Sequence, residues 1–282
     1  MAKVAGRLTI FAGTGALVPH VVEAALAAGY KVQVLTLATR EAIAGVKMGS
    51  VDLDNPLGII WSLKVFRTTH IIMAGGIDLP DKARAGLIRF ANGNAAPGEG
   101  VAETPIGDAA LAALAKVLKK MAGADLVGVH ELSPDLLAGE GVLAGPGFDD
   151  APAAAFALET ARAIGALDIG QAAVVSGRRI IAVEDIGGTD ALIDRVGALR
   201  ARGSTGTGSA PLILAKARQP QQSGFVDLPS IGPQTVERCA AAGIAVIAVE
   251  AGQSLVLQRA ALVEAAARLG ISVLGMRLGH ED

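Results

Sequence analysis

Aromatic side chains make up only 3% of this 282-residue chain, with one Trp, one Tyr and six Phe. The 51% hydrophobic content therefore predicts a core packed from Ala, Val, Leu and Ile. A single cysteine, Cys239, excludes an internal disulfide and a cysteine-based zinc cage. Its helical context with Val236 and Ala240 predicts a small buried hydrophobe. The four histidines, His20, His70, His130 and His280, lack the i,i+4 spacing of a helical metal site and read as structural. A net charge of −2 offers no basic face for nucleic acid. No apolar run approaches the roughly 18 residues of a membrane span. Leu8–Ala12 is strand-length rather than the core of a signal peptide, so a cytoplasmic location is expected. No Gly-x-Ser-x-Gly elbow is present, which weakens a serine hydrolase reading.

What is present is an alternation of short apolar runs with helical patterns. Leu8–Ala12 is followed by a Gly13-Thr14-Gly15 turn, a helical stretch from Leu17 to Ala28, and a second strand over Lys31–Leu37. A helix over Pro56–Thr68 and a strand over His70–Ala74 come next, then a helix over Asp108–Lys120 and a strand over Ala124–His130. Such alternation predicts a parallel, Rossmann-like sheet over residues 1–137. Residues 138–149 hold Gly141, Gly145 and Gly147 around Pro146 and read as a linker. Beyond them, residues 150–282 read as a second α/β domain. Its mixed sheet contains a hairpin of Ala172–Val175 and Ile180–Val183 joined at Gly177-Arg178.

Two stretches carry candidate chemistry. Gly13, Thr14, Gly15, Ala16 and Leu17 connect a strand to a helix start, the context in which glycine turns receive phosphate. The third small residue of the dinucleotide fingerprint is replaced by Val18, and the second strand ends in Leu35-Thr36-Leu37-Ala38 without a carboxylate. Hydride transfer on a nicotinamide cofactor is therefore disfavoured. A mononucleotide, a sugar nucleotide or a merely connecting turn stay open. The other stretch is Phe225-Val226-Asp227-Leu228-Pro229-Ser230-Ile231-Gly232-Pro233, just before a helical pattern at Gln234. An Asp in a stiff, partly dry turn at a helix N-terminus suits holding a metal or a water against phosphate. A structural turn fits the spacing equally.

Several further polar residues stand where apolar strands end, the place where open α/β sheets hold ligands. Asp168-Ile169-Gly170-Gln171 opens the hairpin and Glu184 closes it; Thr189 and Asp190 begin a helix, and Lys216 ends a strand. Together with Asp227 they would suit a hard divalent cation and a diphosphate. Taken singly, Thr189 and Asp190 could be helix caps, and Glu184 could pair with Arg179.

These motifs, in this order, resemble the LpxI family, the UDP-2,3-diacylglucosamine pyrophosphatases of lipid A biosynthesis. The likeness runs from Gly13-Thr14-Gly15-Ala16-Leu17 with Pro19, through Ala161–Gln171, Glu184 and Gly188-Thr189-Asp190-Ala191, to Lys216, Asp227–Gly232 and Glu250-Ala251-Gly252. It implies a nucleotide-binding N-terminal domain and a family-specific C-terminal domain. It also implies Mg²⁺- or Mn²⁺-dependent hydrolysis of the diphosphate to UMP and 2,3-diacylglucosamine 1-phosphate (lipid X). On this likeness Asp227 falls on the catalytic carboxylate and Lys216 acts beside it. Gln171, Thr189 and the 13–17 turn bind substrate, and Asp190 joins Asp227 as a metal ligand. A homodimer, contact with the inner face of the cytoplasmic membrane and an apolar groove for two acyl chains are further implications.

The chain departs from the family pattern at four places. Phe225 stands where an Arg precedes the Val-Asp pair, Ala109 follows Gly107-Asp108 in place of a second Asp, Asp78-Leu79-Pro80 replaces an Arg-Pro pair, and Gln219 takes a second basic position after Lys216. Each lost charge-assisted contact to phosphate is worth on the order of 1.5–3 kcal/mol. A protein that binds a sugar nucleotide or glycolipid with weak turnover, or none, is thus the alternative reading.

Overall fold

The computed structural model describes residues 6–37, 41–52, 56–76, 119, 122–205, 210–220 and 228–279. The expected Asp108–Lys120 helix lies, apart from Lys119, outside them. The chain divides between Pro134 and Asp135 into two compact units.

The first unit is a five-stranded parallel sheet of β1 (Arg7–Ala12), β2 (Lys31–Thr36), β3 (Lys47–Ser50), β4 (His70–Ala74) and β5 (Asp125–Leu126). Their spatial order is β3-β2-β1-β4-β5. β1 is buried along almost its whole length, as expected of a central strand covered on both faces. Alternation along the strands divides the core. Phe11, Leu35, Ile71 and Met73 pack with Ile59 and Leu63 of α2 (Pro56–Phe66). Helix α1 (Leu17–Ala27) buries Leu17, Val18, Val21, Val22 and Ala25 and packs against β1, β2 and β4. The 124–130 stretch is only partly strand: after β5 the chain turns into a short helix, α3 (Val129–Leu132), in which Glu131 accepts a hydrogen bond from the Gly128 N–H at 2.8 Å. β3 has no strand-like pattern in its Lys-Met-Gly-Ser sequence and forms by pairing with β2.

One buried polar chain crosses this core. The Gln33 side-chain amide donates to Thr9 Oγ1 at 3.0 Å, and the Thr9 and Thr68 hydroxyls share a bond of 2.7 Å. All three residues are buried. Thr9→Val conserves volume but leaves the Gln33 amide without its acceptor. The expected loss is about 1–3 kcal/mol, read as a lower midpoint in urea unfolding.

The second unit is built on a six-stranded mixed sheet. Its strands are β6 (Gly141–Ala144), β7 (Ala172–Ser176), β8 (Arg179–Val183), β9 (Leu212–Lys216), β11 (Ile244–Glu250) and β13 (Ser272–Met276). In space they run β6-β13-β11-β9-β7-β8. β9, β11 and β13 are parallel; β6 and β7 run antiparallel to them at the two sides, and β8 pairs antiparallel with β7. A two-stranded parallel ribbon of β10 (Ser230–Ile231) and β12 (Leu255–Val256) stands beside it. One face of the large sheet packs on α4 (Ala151–Ala166) through Ala154, Ala157, Leu158 and Ala161. The other packs on α5 (Gly188–Ala201), α6 (Pro233–Ala242) and α7 (Arg259–Leu269).

The stretch 138–149, expected as a linker, carries β6 and belongs to this sheet. At Gly145 the glycine answers to close approach. A Cβ on Gly145 would sit 1.9 Å from the Ile271 carbonyl oxygen, and one on Gly275 of β13 would sit 1.8 Å from that of Gly139. Thus the two backbones are too near for any other residue.

Candidate active site

In the first unit the strand order places its reversal between β1 and β4, the point at which open α/β sheets bind ligands. Two glycine segments meet there. The Gly13 N–H donates to Ala74 O at 2.9 Å, and Thr14 and Gly76 exchange backbone bonds of 2.9 and 3.1 Å. A Cβ on Gly13 would lie 2.2 Å from Gly76 O, and one on Gly75 would lie 2.2 Å from Thr14 O. Val18 is fully buried, with Cγ2 3.2 Å from the place a Gly75 Cβ would take. Hence the third position of the fingerprint serves packing between the two loops. Thr14, Gly15 and Ala16 are exposed, and Leu17 turns inward. Ala16 caps α1 without a side-chain acceptor, which leaves the N–H groups of Leu17 and Val18 at the helix start, Pro19 having none.

In the second unit a set of polar side chains collects where β8, β9 and β11 end and β7 begins. The antiparallel register puts Ala172 opposite Lys216. The Ala217 N–H donates to Gln171 O at 3.0 Å, and the Glu184 N–H to Ala172 O at 2.8 Å. Glu184 is buried. Its carboxylate accepts from the Gln171 backbone N–H and from the Thr189 hydroxyl, each at 2.9 Å. It therefore does not serve as the surface partner of Arg179. A Cβ on Gly170 would fall 2.8 Å from the Glu184 Cβ, so the Asp168–Gln171 turn needs its glycine to let Glu184 close over it. Asp185, next in sequence, holds the loop outside. Its carboxyl is kept below the usual range by a hydrogen bond from Arg195 and by the Gly187 N–H.

Lys216 is 6% exposed. It continues the Leu212–Leu214 row that faces α5 and α6, and its Nζ donates to Ser230 O at 3.1 Å. Ser230 belongs to β10, which is tied to β12 through Pro229 O and the Leu255 N–H at 2.7 Å. The lysine thus grips the segment that leaves Asp227, three residues beyond it. Nearby Cys239 is buried in the core, and burial pushes its thiol up to about 12, against the opposing pull of the Lys216 charge.

The structure accordingly brings Gln171, Glu184, Thr189 and Lys216 to one sheet end. Asp190 lies on the outer side, 3.4 Å from the Arg238 guanidinium, which also holds Asp194. Asp227 and Phe225 fall outside the described residues. Among those described, no three His, Cys, Asp or Glu side chains are grouped to hold a metal ion. An ionised carboxylate has about four lone-pair sites, so Glu184 retains acceptor capacity of the oxygen type a hard cation takes, without forming a complete ligand set.

Glu250 was not singled out as a site residue from the sequence. It is buried at the end of β11, one position past the residue paired with Lys216. Its Oε2 accepts the Arg218 N–H at 3.3 Å, and the Arg218 guanidinium reaches Gln253 Oε1 at 2.9 Å. An open hollow of about 390 Å³ borders it, lined by Ala138, Gly139, Glu140, Gln253 and Arg277 among others. The signal was available: Glu250 ends a seven-residue apolar strand, as Lys216 ends β9.

The strand order of the first unit and its glycine loop at the reversal define the class, a two-unit α/β protein with a Rossmann-like N-terminal sheet. Comparison with known proteins narrows this. Residues 7–136 match the family described as LpxI N-terminal domain, and residues 140–274 the LpxI C-terminal domain. A protein of Caulobacter vibrioides called UDP-2,3-diacylglucosamine pyrophosphatase LpxI is 34% identical over 283 residues, covering 96% of this chain and 97% of that one. The chain belongs to the LpxI family, as its motifs predicted. Among solved structures, a Thermus thermophilus UDP-glucose 4-epimerase in complex with NAD aligns over 96% of this chain and 86% of its own. Its TM-score is 0.33 at 16% identity, a likeness too loose to carry structural detail.

Proposed function

We propose that this protein hydrolyses the diphosphate of UDP-2,3-diacylglucosamine to UMP and 2,3-diacylglucosamine 1-phosphate. The observation that carries the reading is the end-to-end match, at 34% identity, to a relative of that name. In this reaction a water oxygen bonds to the phosphorus on the sugar side, the bridging P–O bond breaks, and UMP leaves. Asp227 accepts the proton of the attacking water. Lys216, buried and charged, offsets the negative charge that grows on the phosphoryl oxygens. Thr189 and Gln171 line the approach, each fixed through Glu184. The exposed Thr14–Ala16 turn, ahead of the Leu17 and Val18 N–H groups of α1, is of the kind that receives a phosphate.

A Mg²⁺ or Mn²⁺ ion belongs to the same proposal. It would be held by Asp227 with carboxylate oxygens near it, and it would withdraw charge from the diphosphate. Asp190, paired with Arg238, is a weaker candidate ligand than Glu184.

Incubating the purified protein with UDP-2,3-diacylglucosamine and Mg²⁺ is expected to release UMP, to stop on adding EDTA and to resume with excess Mn²⁺. No release under any of these conditions would reject the enzymatic reading. A second reading, a binder of acylated sugar nucleotides that does not turn them over, draws on one described departure. Gln219, where the family carries a cation, is buried with its side-chain carbonyl oxygen unpartnered, a neutral amide in place of a charge that would attract phosphate. Retention of UDP or lipid X without UMP release would favour it.

A further inference from the structure

Helix α2 is apolar on nearly every side, yet one stripe of it is largely exposed. Ile59, Ile60 and Leu63 are buried, whereas Leu57 is 69%, Trp61 68% and Val65 51% exposed. At about 100° per residue, these three residues, spaced i, i+4 and i+8, form one narrow stripe, with Lys64 along its margin. Cations gather at the C-terminal end of the same helix. Arg7 donates to Phe66 O at 3.0 Å and lies over the Phe66 ring, and the exposed Arg67 follows directly. The sequence from Pro56 to His70 contains no Asp or Glu; the nearest preceding acids are Asp52 and Asp54.

We propose that this face of α2 docks on an anionic lipid bilayer. The pattern is that of an interfacial helix: a Trp and aliphatic stripe entering the headgroup boundary, with basic side chains at its margin meeting lipid phosphates. Lys64 and Arg67 can lay their methylene stems along the apolar surface and keep the charge outside. A second copy of the chain is the poorer occupant. One stripe of three side chains on an 11-residue helix falls far short of the roughly 800 Å² per partner of a stable interface. The basic margins would also face each other across a two-fold axis. Among the described residues no helix is long and apolar enough to cross a membrane, so the contact is superficial. The proposal deepens the reading given above, since a diacylated substrate resides in a bilayer, but its evidence is independent of catalysis.

Trp61 is the single tryptophan of the chain, so intrinsic fluorescence reports on this face directly. With vesicles of phosphatidylglycerol and phosphatidylcholine, the full-length protein is expected to co-sediment and its emission to move to shorter wavelength. Vesicles of phosphatidylcholine alone should bind at least about tenfold less, as loss of the charge term demands. The double variant Leu57→Ser/Val65→Ser keeps the fluorophore and should lose about tenfold or more in partitioning. Lys64→Glu/Arg67→Glu should abolish the preference for anionic lipid. Hydrolysis of detergent-dispersed substrate, measured in parallel, should be the same for Leu57→Ser/Val65→Ser and the unaltered protein; absence of hydrolysis in both would bear on the proposed reaction alone. The docking proposal is overturned by any of three results: no binding to anionic vesicles, undiminished binding of Leu57→Ser/Val65→Ser, or emission that shifts with protein concentration in the absence of lipid, which marks self-association.

Discussion

Lys216→Met is expected to lower hydrolysis of UDP-2,3-diacylglucosamine by about 10²–10³-fold, the usual cost of removing one preorganised electrostatic donor, while leaving the melting temperature unchanged or higher. The two effects have opposite signs because the lysine's position is expensive. Its side chain is buried between β9 and the layer of α5 and α6, with Ser230 O beneath the ammonium. Holding a charge there opposes folding, and an unbranched apolar side chain of similar length fills the same space without that cost. A lysine kept only for structure gives the contrary result: a lower melting temperature with the remaining activity tracking the folded fraction. Turnover and thermal unfolding measured on the same preparation separate the two. Replacing the neighbour across the sheet end, Glu184→Gln, tests whether charge or hydrogen bonding matters there, since Gln offers one acceptor oxygen to the two donors that Glu184 now serves.

The largest structural effect is expected from Gly13→Ala. An added Cβ would meet Gly76 O at 2.2 Å and the Gly76 carbonyl carbon at 2.6 Å, and both are backbone atoms that cannot rotate away. Relief requires parting the β1 and β4 loops and breaking the backbone bonds between Thr14 and Gly76. A loss of about 3 kcal/mol or more from the first unit follows, at the upper end of overpacking effects. Gly15→Ala is the matched control. Its φ of +92° carries strain, but nothing stands within 4 Å of the new methyl, so the cost should stay near about 1–2 kcal/mol. Fluorescence of Trp61 during urea unfolding reads this unit. Equal midpoints for the two variants would show that the loops separate easily and that the close approach is not a constraint.

Much of this fold was legible because apolar runs and glycines fall where parallel α/β units require them. The β7–β8 hairpin was visible as two short apolar runs around Gly177-Arg178, and the structure has it in that place. Two features that local pattern does not reveal share a cause. The glycines at 141, 145 and 147 look like a flexible connection, yet this stretch pairs with β13, and Gly145 lies too near the Ile271 carbonyl for a side chain. β3, with Lys-Met-Gly-Ser, is a strand only because β2 offers it hydrogen bonds. In both cases the decisive partner is remote in sequence, and no local pattern records it.

At the candidate site, strand ends pointed to Gln171, Glu184 and Lys216, and register brought them together. The role of Glu184 as a brace for Thr189 and Gln171 was not readable. It depends on burial, and a Glu after an apolar strand looks the same whether it turns outward to Arg179 or inward beneath Gly170. Asp190 shows the reverse case. Its place in the first turn of α5 suggested a ligand or cap, while the nearest cation comes from α6.

The pairing of β6 with β13 joins the opening and closing strands of the second unit. During synthesis at about 5–20 residues per second, every strand of the first sheet has been made before the second unit begins. The second sheet, by contrast, must wait with its β6 edge open until Ser272–Met276 emerges from the ribosome. A nascent chain halted before that strand would therefore expose the flanks of β6 and β11 together, as two open hydrogen-bonding edges.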